Sequence, residues 1–423
     1  MNSAEEFLIR HKMNPELICP ARCAEQMKDN MIAGLNGNVV DMPMIPAYLS
    51  NEGTVPEGVP AIVIDAGGTN YRCALAVFKD GKCETEKLKV CAMPGTEKPC
   101  SWDELISFVA DSIEPLAQYS DVVGFCFSYN AQITPDMDAI VVSLDKEVVV
   151  EGCNGSLLGE SINLELERRG IGRKKIVILN DTVAALLGGS AVLDKDKYSD
   201  MFGMICGTGV NTCCSVDRSL IGKLSGLKKN TMLINLESGV YSMFPYGDID
   251  ALLDARSLVP GDKMMEKMCS GAYLGTLCRL ALETAENEGC ISAGTKERMD
   301  AIEKLNGAVA DAWASGEDEY GTFATDKDRE FAREVCLAIF ERSARCVATN
   351  IYAIMLLNDS GTDESRPACV CAEGSLISRS RHFRPFLERE LEKIAETEKR
   401  YAVISIGKDT TLPGSAAAAL LNT

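Results

Sequence analysis

Between residues 61 and 78 the chain reads AIVIDAGGTNYRCALAVF, two apolar, β-rich runs on either side of a tight glycine turn. Asp65 precedes that turn, Gly67, Gly68, Thr69 and Asn70 form it, and Arg72 follows. Glycines let backbone N–H groups approach anionic oxygens with no Cβ in the way, so an Asp beside them can meet a magnesium-bound phosphate. Thr69 adds a hydroxyl and Arg72 a forked cation matched to phosphate oxygens. The same residues equally make an ordinary β-hairpin, and this stretch alone does not choose between the two.

Further motifs follow in order: GFCFS from Gly124 to Ser128, VILNDTVAALLGG from Val177 to Gly189, and MFGMICGTGVNTCC from Met201 to Cys214. INLESG (Ile234 to Gly239), the run Asp254 to Gly275 containing Glu266, and CAEGSLISRSRHF (Cys371 to Phe383) complete the series. Together they resemble the hexokinase family from about residue 55 onward. The resemblance implies an ATP-dependent transfer of the γ-phosphoryl group to the 6-hydroxyl of glucose or a related hexose, with Mg²⁺ as the accompanying ion.

Phosphoryl transfer needs in-line positioning, charge stabilisation and a group oriented on the acceptor hydroxyl. The resemblance assigns Asp181 as the base that takes the hydroxyl proton, and Arg72 and Lys146 as catalytic cations. Asp181 precedes an apolar helical run, where Asp or Thr is commonly an N-cap, and Thr182 is available to take that duty. Ser128, Lys146, Asn180, Asn211, Glu237 and Glu266 would bind the sugar. Carboxylates and amides suit fixed hydroxyls because a wrong sugar leaves buried polar groups unpaired.

For the nucleotide, Asp65 would hold Mg²⁺ while Gly67, Gly68, Thr69, Asn70 and Arg72 meet the phosphates. Gly207, Thr208 and Gly209 would form a second phosphate turn, and Gly374 and Ser375 the adenosine segment. Gly414 and Ser415 would either close the adenine pocket or cap the last helix.

The chain departs from the family at the small sugar loop, where Asp145-Lys146-Glu147-Val148 stands for the usual Thr-Lys-Gly-Phe and only the lysine matches. Tyr129 replaces a proline, and Ser238 a tryptophan, changes expected to alter pocket walls. They leave open another hexose (mannose, fructose, an amino sugar) or a sugar-sensing protein of weak activity.

The elements that must position these groups follow from bulk properties and pattern. At 423 residues, 46% apolar and 25% charged, the chain has room for two globular domains with a cleft between them. No run approaches the ~20 apolar residues of a membrane helix, and the N-terminus lacks a signal-peptide core, so the expected location is the cytoplasm. A net charge of −19 without a basic block argues against nucleic acid or an anionic membrane as partner. The eighteen cysteines are scattered without a CxxC pair, which fits a reducing compartment and makes structural zinc an unexpected feature.

Strand patterns are expected at 61–65, 71–78, 83–92, 122–127, 176–179, 202–206 and 231–236, and helices at 1–36, 299–314 and 326–357. The fold class is α/β. The resemblance implies two ribonuclease-H-like domains of the actin-like ATPase kind, with residues 60–179 and 412–423 in the small domain and 1–59 and 180–411 in the large one. Oligomeric state is left as monomer or homodimer.

Overall fold

A computed structural model of the chain describes residues 3–144, 148–227, 229–407 and 409–423. Its strands, in chain order, are β1 (Ile45–Pro46), β2 (Pro60–Gly67), β3 (Asn70–Lys79), β4 (Lys82–Ala92), β5 (Cys100–Ser101), β6 (Val122–Phe127), β7 (Asn130–Ile133), β8 (Ala139–Ser143), β9 (Val150–Glu151) and β10 (Lys175–Leu179). The second half adds β11 (Asp200–Cys206), β12 (Val210–Asp217), β13 (Thr231–Asn235), β14 (Ala368–Glu373) and β15 (Ala402–Ile406).

Two sheets share one topology. The first runs β10-β6-β2-β3-β4 and the second β1-β13-β12-β11-β14-β15. In the first, β2, β3 and β4 form an antiparallel meander and β6 and β10 join β2 in parallel. In the second, β11, β12 and β13 repeat the meander and β14 and β15 repeat the parallel additions. Periodicity in the sequence could not show this duplication; the strand order does. The central strands are buried on both faces, so Ile62, Val63 and Ile64 read as one continuous apolar run rather than an alternation.

The helices Asp181–Val192 and Thr411–Asn422 each follow the last parallel strand of one half and lie against each other between the sheets. Their backbones approach closely because glycine stands at the crossing. A Cβ on Gly414 would come within 2.0 Å of the Ala184 carbonyl oxygen, and one on Gly188 within 2.4 Å of that of Thr410. The C-terminal helix packs over β6, β2 and β10, so it belongs spatially with the first sheet although it ends the chain. The N-terminal helices pack on the 32-residue helix Asp326–Leu357 beside the second sheet.

The expected helix over 1–36 is in fact two, Ala4–Arg10 and Pro20–Leu35, with a 3₁₀ turn at Pro15–Leu17 between them. Pro15 and Pro20 lack the N–H that a continuous helix would need, and each instead starts a new segment. The expected helix 299–314 likewise divides into Thr295–Asp300 and Gly307–Ala314, since Asn306 caps the second by accepting from the N–H groups of Ala308 and Val309. Strands β12, β14 and β15 carry no clean alternation and escaped the pattern. The helix expected over 326–357 has those bounds.

One carboxylate in the fold gives a pH-dependent stability. Asp200, half-buried at the start of β11, accepts from Asn358 Nδ2 and from its neighbour's N–H, both at 2.7 Å. Desolvation, the largest influence, outweighs these bonds and raises its pKa to about 6. A raised folded-state pKa means that the native state binds the proton more tightly than the unfolded chain does. The contribution of Asp200 is therefore full below its unfolded pKa and is lost as pH rises to about 6. Thermal melting of wild type and Asp200→Asn should show the wild type losing ground to the variant across that interval, and parallel curves would contradict it.

Candidate functional site

The turn between β2 and β3 comprises Gly68 and Thr69, with Gly68 at φ +58°, so the hairpin geometry and the glycine turn are one structure. The register sets Asp65 directly opposite Arg72. Arg72 donates from Nε (2.9 Å) and Nη2 (2.7 Å) to a single oxygen, Oδ2 of Asp65. The same guanidinium reaches Asp409 and, at 3.4 Å, Thr411 Oγ1, which ties the hairpin to the start of the C-terminal helix. Burial, the dominant influence, raises the Asp65 carboxyl above its ordinary pKa against the opposing pull of Arg72. Ser128 donates its backbone N–H to the Ala66 carbonyl, and its Oγ lies 3.2 Å from where a Gly67 Cβ would stand. Tyr129 donates its hydroxyl to the Gly68 carbonyl at 2.6 Å.

At the carboxyl end of β10, Asn180 is the N-cap of the helix beginning at Asp181, and its Oδ1 accepts the Thr182 N–H at 3.0 Å. The cap is thus neither Asp181 nor Thr182, as the sequence had allowed. Asp181 occupies the first helical position, where a carboxylate is favoured by the helix dipole, and its Oδ1 also receives the Thr182 N–H at 2.8 Å. Cys126, the penultimate residue of the neighbouring β6, is fully buried. Burial first, then the charges of Asp65 and Asp181, drives its thiol pKa upward. The charges of two carboxylates that lie 116 positions apart in sequence therefore both act on one buried thiol.

Asn211, Asn235 and Glu237 form a polar triangle at the ends of β12 and β13. Asn211 Nδ2 donates to Asn235 Oδ1 (2.8 Å) and to Glu237 Oε1 (3.2 Å), and Asn235 Nδ2 donates to the same Glu237 oxygen at 2.7 Å. Glu237 sits at φ 55°, ψ 45°, a left-handed conformation costly for a glutamate and concentrated at functional sites. Glu266 approaches from the helix Met264–Cys269 and accepts the Val210 N–H at 3.4 Å. A Cβ on Gly209 would stand 2.7 Å from its Oε2. Ser238 is fully buried beneath Asn211, its Oγ accepting from Thr212 Oγ1 at 3.1 Å, so it does not form an open pocket wall.

The turn Gly207-Thr208-Gly209 joins β11 to β12 and rests on the N-terminus of the helix Gly271–Asn287, whose Gly271 and Ala272 N–H groups donate to the carbonyls of Gly207 and Thr208. Gly374, at φ +122°, and Ser375 stack directly on it, with the Gly374 Cα 3.2 Å from a Cβ placed on Gly207. Glu373 accepts from the backbone and hydroxyl of Thr410.

Gly414 and Ser415 lie inside the C-terminal helix and are buried. Gly414 makes the helix crossing, and Ser415 donates to the Thr411 carbonyl while its own carbonyl abuts Gly124. Lys146 falls outside the described residues. Sequence reasoning gave Thr182 only a capping role and gave no role to Cys126, Asn235, Asp409 or Thr410. Cys126 and Asn235 lay inside the quoted motifs GFCFS and INLESG, whereas Asp409 and Thr410 lay outside all of them.

Among the described residues no group of three or more His, Cys, Asp or Glu is placed to hold a metal ion. Magnesium accompanying a nucleotide needs only one or two protein carboxylates, the phosphates and water supplying the rest, and Asp65 beside the Gly67–Gly68 turn meets that requirement. A surface groove of about 700 Å³ elsewhere, between β15 and the helix Phe383–Glu398, contains none of these groups.

Two family profiles, each described as Hexokinase, match residues 5–191 and 201–421. A Schizosaccharomyces pombe protein named Hexokinase-1 is 26% identical over 419 residues, covering 91% of this chain and 84% of its own. A Mus musculus protein named Hexokinase-3 is 27% identical over 404 residues, covering 88% of this chain and 42% of its own. This chain thus spans less than half the length of the mouse relative. The solved structure of a hexokinase from Schistosoma mansoni complexed with glucose shares the fold, with a TM-score of 0.78 at 21% identity over 99% of this chain and 100% of that one.

Proposed function

From the premise that the chain belongs to the hexokinase family, we propose that it transfers the γ-phosphoryl group of MgATP to the 6-hydroxyl of glucose or a related hexose, with Asp181 as general base. The observation that carries the role of Asp181 is its place at the first position of a helix already capped by Asn180, next to Thr182, whose hydroxyl reaches Asn235 of the polar triangle. Asn180 shares the Thr182 N–H with this carboxylate, so the helix keeps a cap when Asp181 takes a proton.

In this reading the sugar lies against Asn180, Asn211, Glu237 and Glu266. As the 6-oxygen bonds to phosphorus, its proton passes to the Asp181 carboxylate and the bond from phosphorus to the ADP oxygen breaks. Bound Mg²⁺ supplies charge neutralisation on the phosphates, and Asp65 is the residue that would hold it. Arg72 fixes the Asp65 carboxylate and contributes positive charge on the same face. The turns at Gly67–Gly68 and Gly207–Gly209 let backbone N–H groups approach phosphate oxygens, and Gly374 and Ser375 line the nucleoside side. Lys146 keeps its proposed role as a cation toward sugar and phosphate. Cleft closure between the two halves would exclude water as a competing acceptor.

The test is coupled detection of ADP and sugar 6-phosphate with glucose, mannose, fructose and glucosamine. At least one should turn over with strict dependence on divalent cation, and the ranking of kcat/KM names the hexose. Sugar binding without ADP release from any of them would overturn the assignment.

A further inference from the structure

Asn235 closes β13 and is 6% exposed, yet both ends of its amide are committed. Its oxygen accepts from Asn211 at 2.8 Å, and its nitrogen donates to Glu237 Oε1 at 2.7 Å. Thr182 Oγ1 lies 3.4 Å from the same Asn235 oxygen and closer still to Asn180 Oδ1, so the single hydroxyl proton of Thr182 is shared between two carbonyls. A contact spanning 53 residues of sequence thereby joins the end of β13 to the first turn that carries Asn180 and Asp181.

The amide count around this residue is restrictive. Asn211 uses both of its N–H bonds, to Asn235 and Glu237, and its oxygen accepts from the N–H groups of Thr212 (2.7 Å) and Ser238 (3.3 Å). Both asparagine nitrogens converge on Glu237 Oε1, so among the described residues Oε2 is the Glu237 oxygen without a protein donor. An amide can satisfy this arrangement because it presents an acceptor at one end and a donor at the other, which neither a carboxylate nor an aliphatic chain does.

We infer that Asn235 is a positioning residue for the hexose acceptor. It fixes which Glu237 oxygen and which edge of Asn211 face the sugar, and it ties both to the segment bearing the base. The inference rests on the proposed reading of Asn211 and Glu237 as sugar ligands. The longest bond of the set, Asn211 to Glu237 at 3.2 Å, is the one a sugar hydroxyl would replace, while the two shorter bonds through Asn235 keep the frame in register.

Two variants test it. Asn235→Asp keeps the shape and the acceptor toward Asn211 but sets a carboxylate against Glu237, so both cannot be ionised at close range without one turning away. Hexose KM at saturating MgATP is expected to rise about 10- to 100-fold at neutral pH, the equivalent of losing a hydrogen bond to a charged group. KM should fall again on acidification, as a shared proton restores the donor, while KM for MgATP stays within about twofold. Asn235→Ala should raise hexose KM without that pH dependence. If the alanine variant does not fold, the isosteric variant carries the test, because a purely structural asparagine would not make sugar KM depend on pH.

Wild-type hexose KM in folded variants, alongside a raised KM in Glu237→Gln, would overturn this inference alone. An unchanged KM in Glu237→Gln as well would remove the sugar-ligand reading together with it.

Discussion

Asp181→Ala is expected to lower kcat by ~10² to 10⁴, the usual worth of a positioned general base, with hexose KM changed far less. The structure makes this a clean experiment. Had Asp181 been the N-cap, its removal would have cost ~1 kcal/mol of helix stability and any lost activity would have been ambiguous. Asn180 holds that position and its Oδ1 already receives the Thr182 N–H. The variant forfeits the favourable charge at the first turn and a second acceptor for the same N–H, while the Asn180 cap remains. The melting temperature should therefore move by a few degrees at most. Asp181→Asn, which keeps the acceptor but cannot take the proton, should be nearly as inactive as alanine. Turnover within a few-fold of wild type in either variant would rule Asp181 out as the base.

The largest stability effect is expected at the pair Arg342–Asp250. Arg342 is 1% and Asp250 2% exposed. The Arg342 guanidinium donates from Nη1 to Asp250 Oδ1 at 3.0 Å and from Nη2 to Oδ2, while its buried Nε has no hydrogen-bond partner among the described residues. The pair joins the helix Asp248–Arg256 to the long helix Asp326–Leu357, and Asp250 also accepts the Gly247 N–H at 2.7 Å as part of a helix cap. Asp250→Ala leaves a buried guanidinium without its counter-charge, and breaking such a pair costs about 3–5 kcal/mol.

A double variant that replaces both partners with apolar residues of similar size should be less destabilised than the single one, because the desolvated charge disappears along with its partner. Urea unfolding midpoints would measure both. A single variant within ~1 kcal/mol of wild type would show that water reaches this pair and that the burial argument is wrong.

Some of the site was legible in the sequence because its physics is local. Asp65 and Arg72 face each other across a hairpin whose two-residue turn fixes the register, and the glycines at that turn declare a backbone that other residues resist. Strand ends preceding glycine turns, and the 32-residue helix with its Thr325–Asp328 capping box, are equally short-range statements. The family motifs then supplied an order in which to read them. Where local signals conflicted, the sequence misled: it offered Asp181 and Thr182 as caps, and only the backbone conformation, which puts Asn180 just outside the helix, showed that Asn180 is the cap.

Composition, the hairpin turn, the strand-to-helix junction and the presence of two glycine turns were thus determined by the sequence itself. Only the tertiary structure decided that the two halves repeat one strand order. It also decided that Gly414 serves the crossing of two helices, and that the charges of Asp65 and Asp181 both act on Cys126. The frame of Asn211, Asn235 and Glu237 was settled at the same level. The reason is that these contacts join segments tens to hundreds of residues apart. No local propensity distinguishes Asn235 from any other asparagine at the end of a strand. Its role arises when the second sheet fixes its pairing register and the helix at Asp181 is laid beside it, so that an amide reaches partners the chain placed elsewhere.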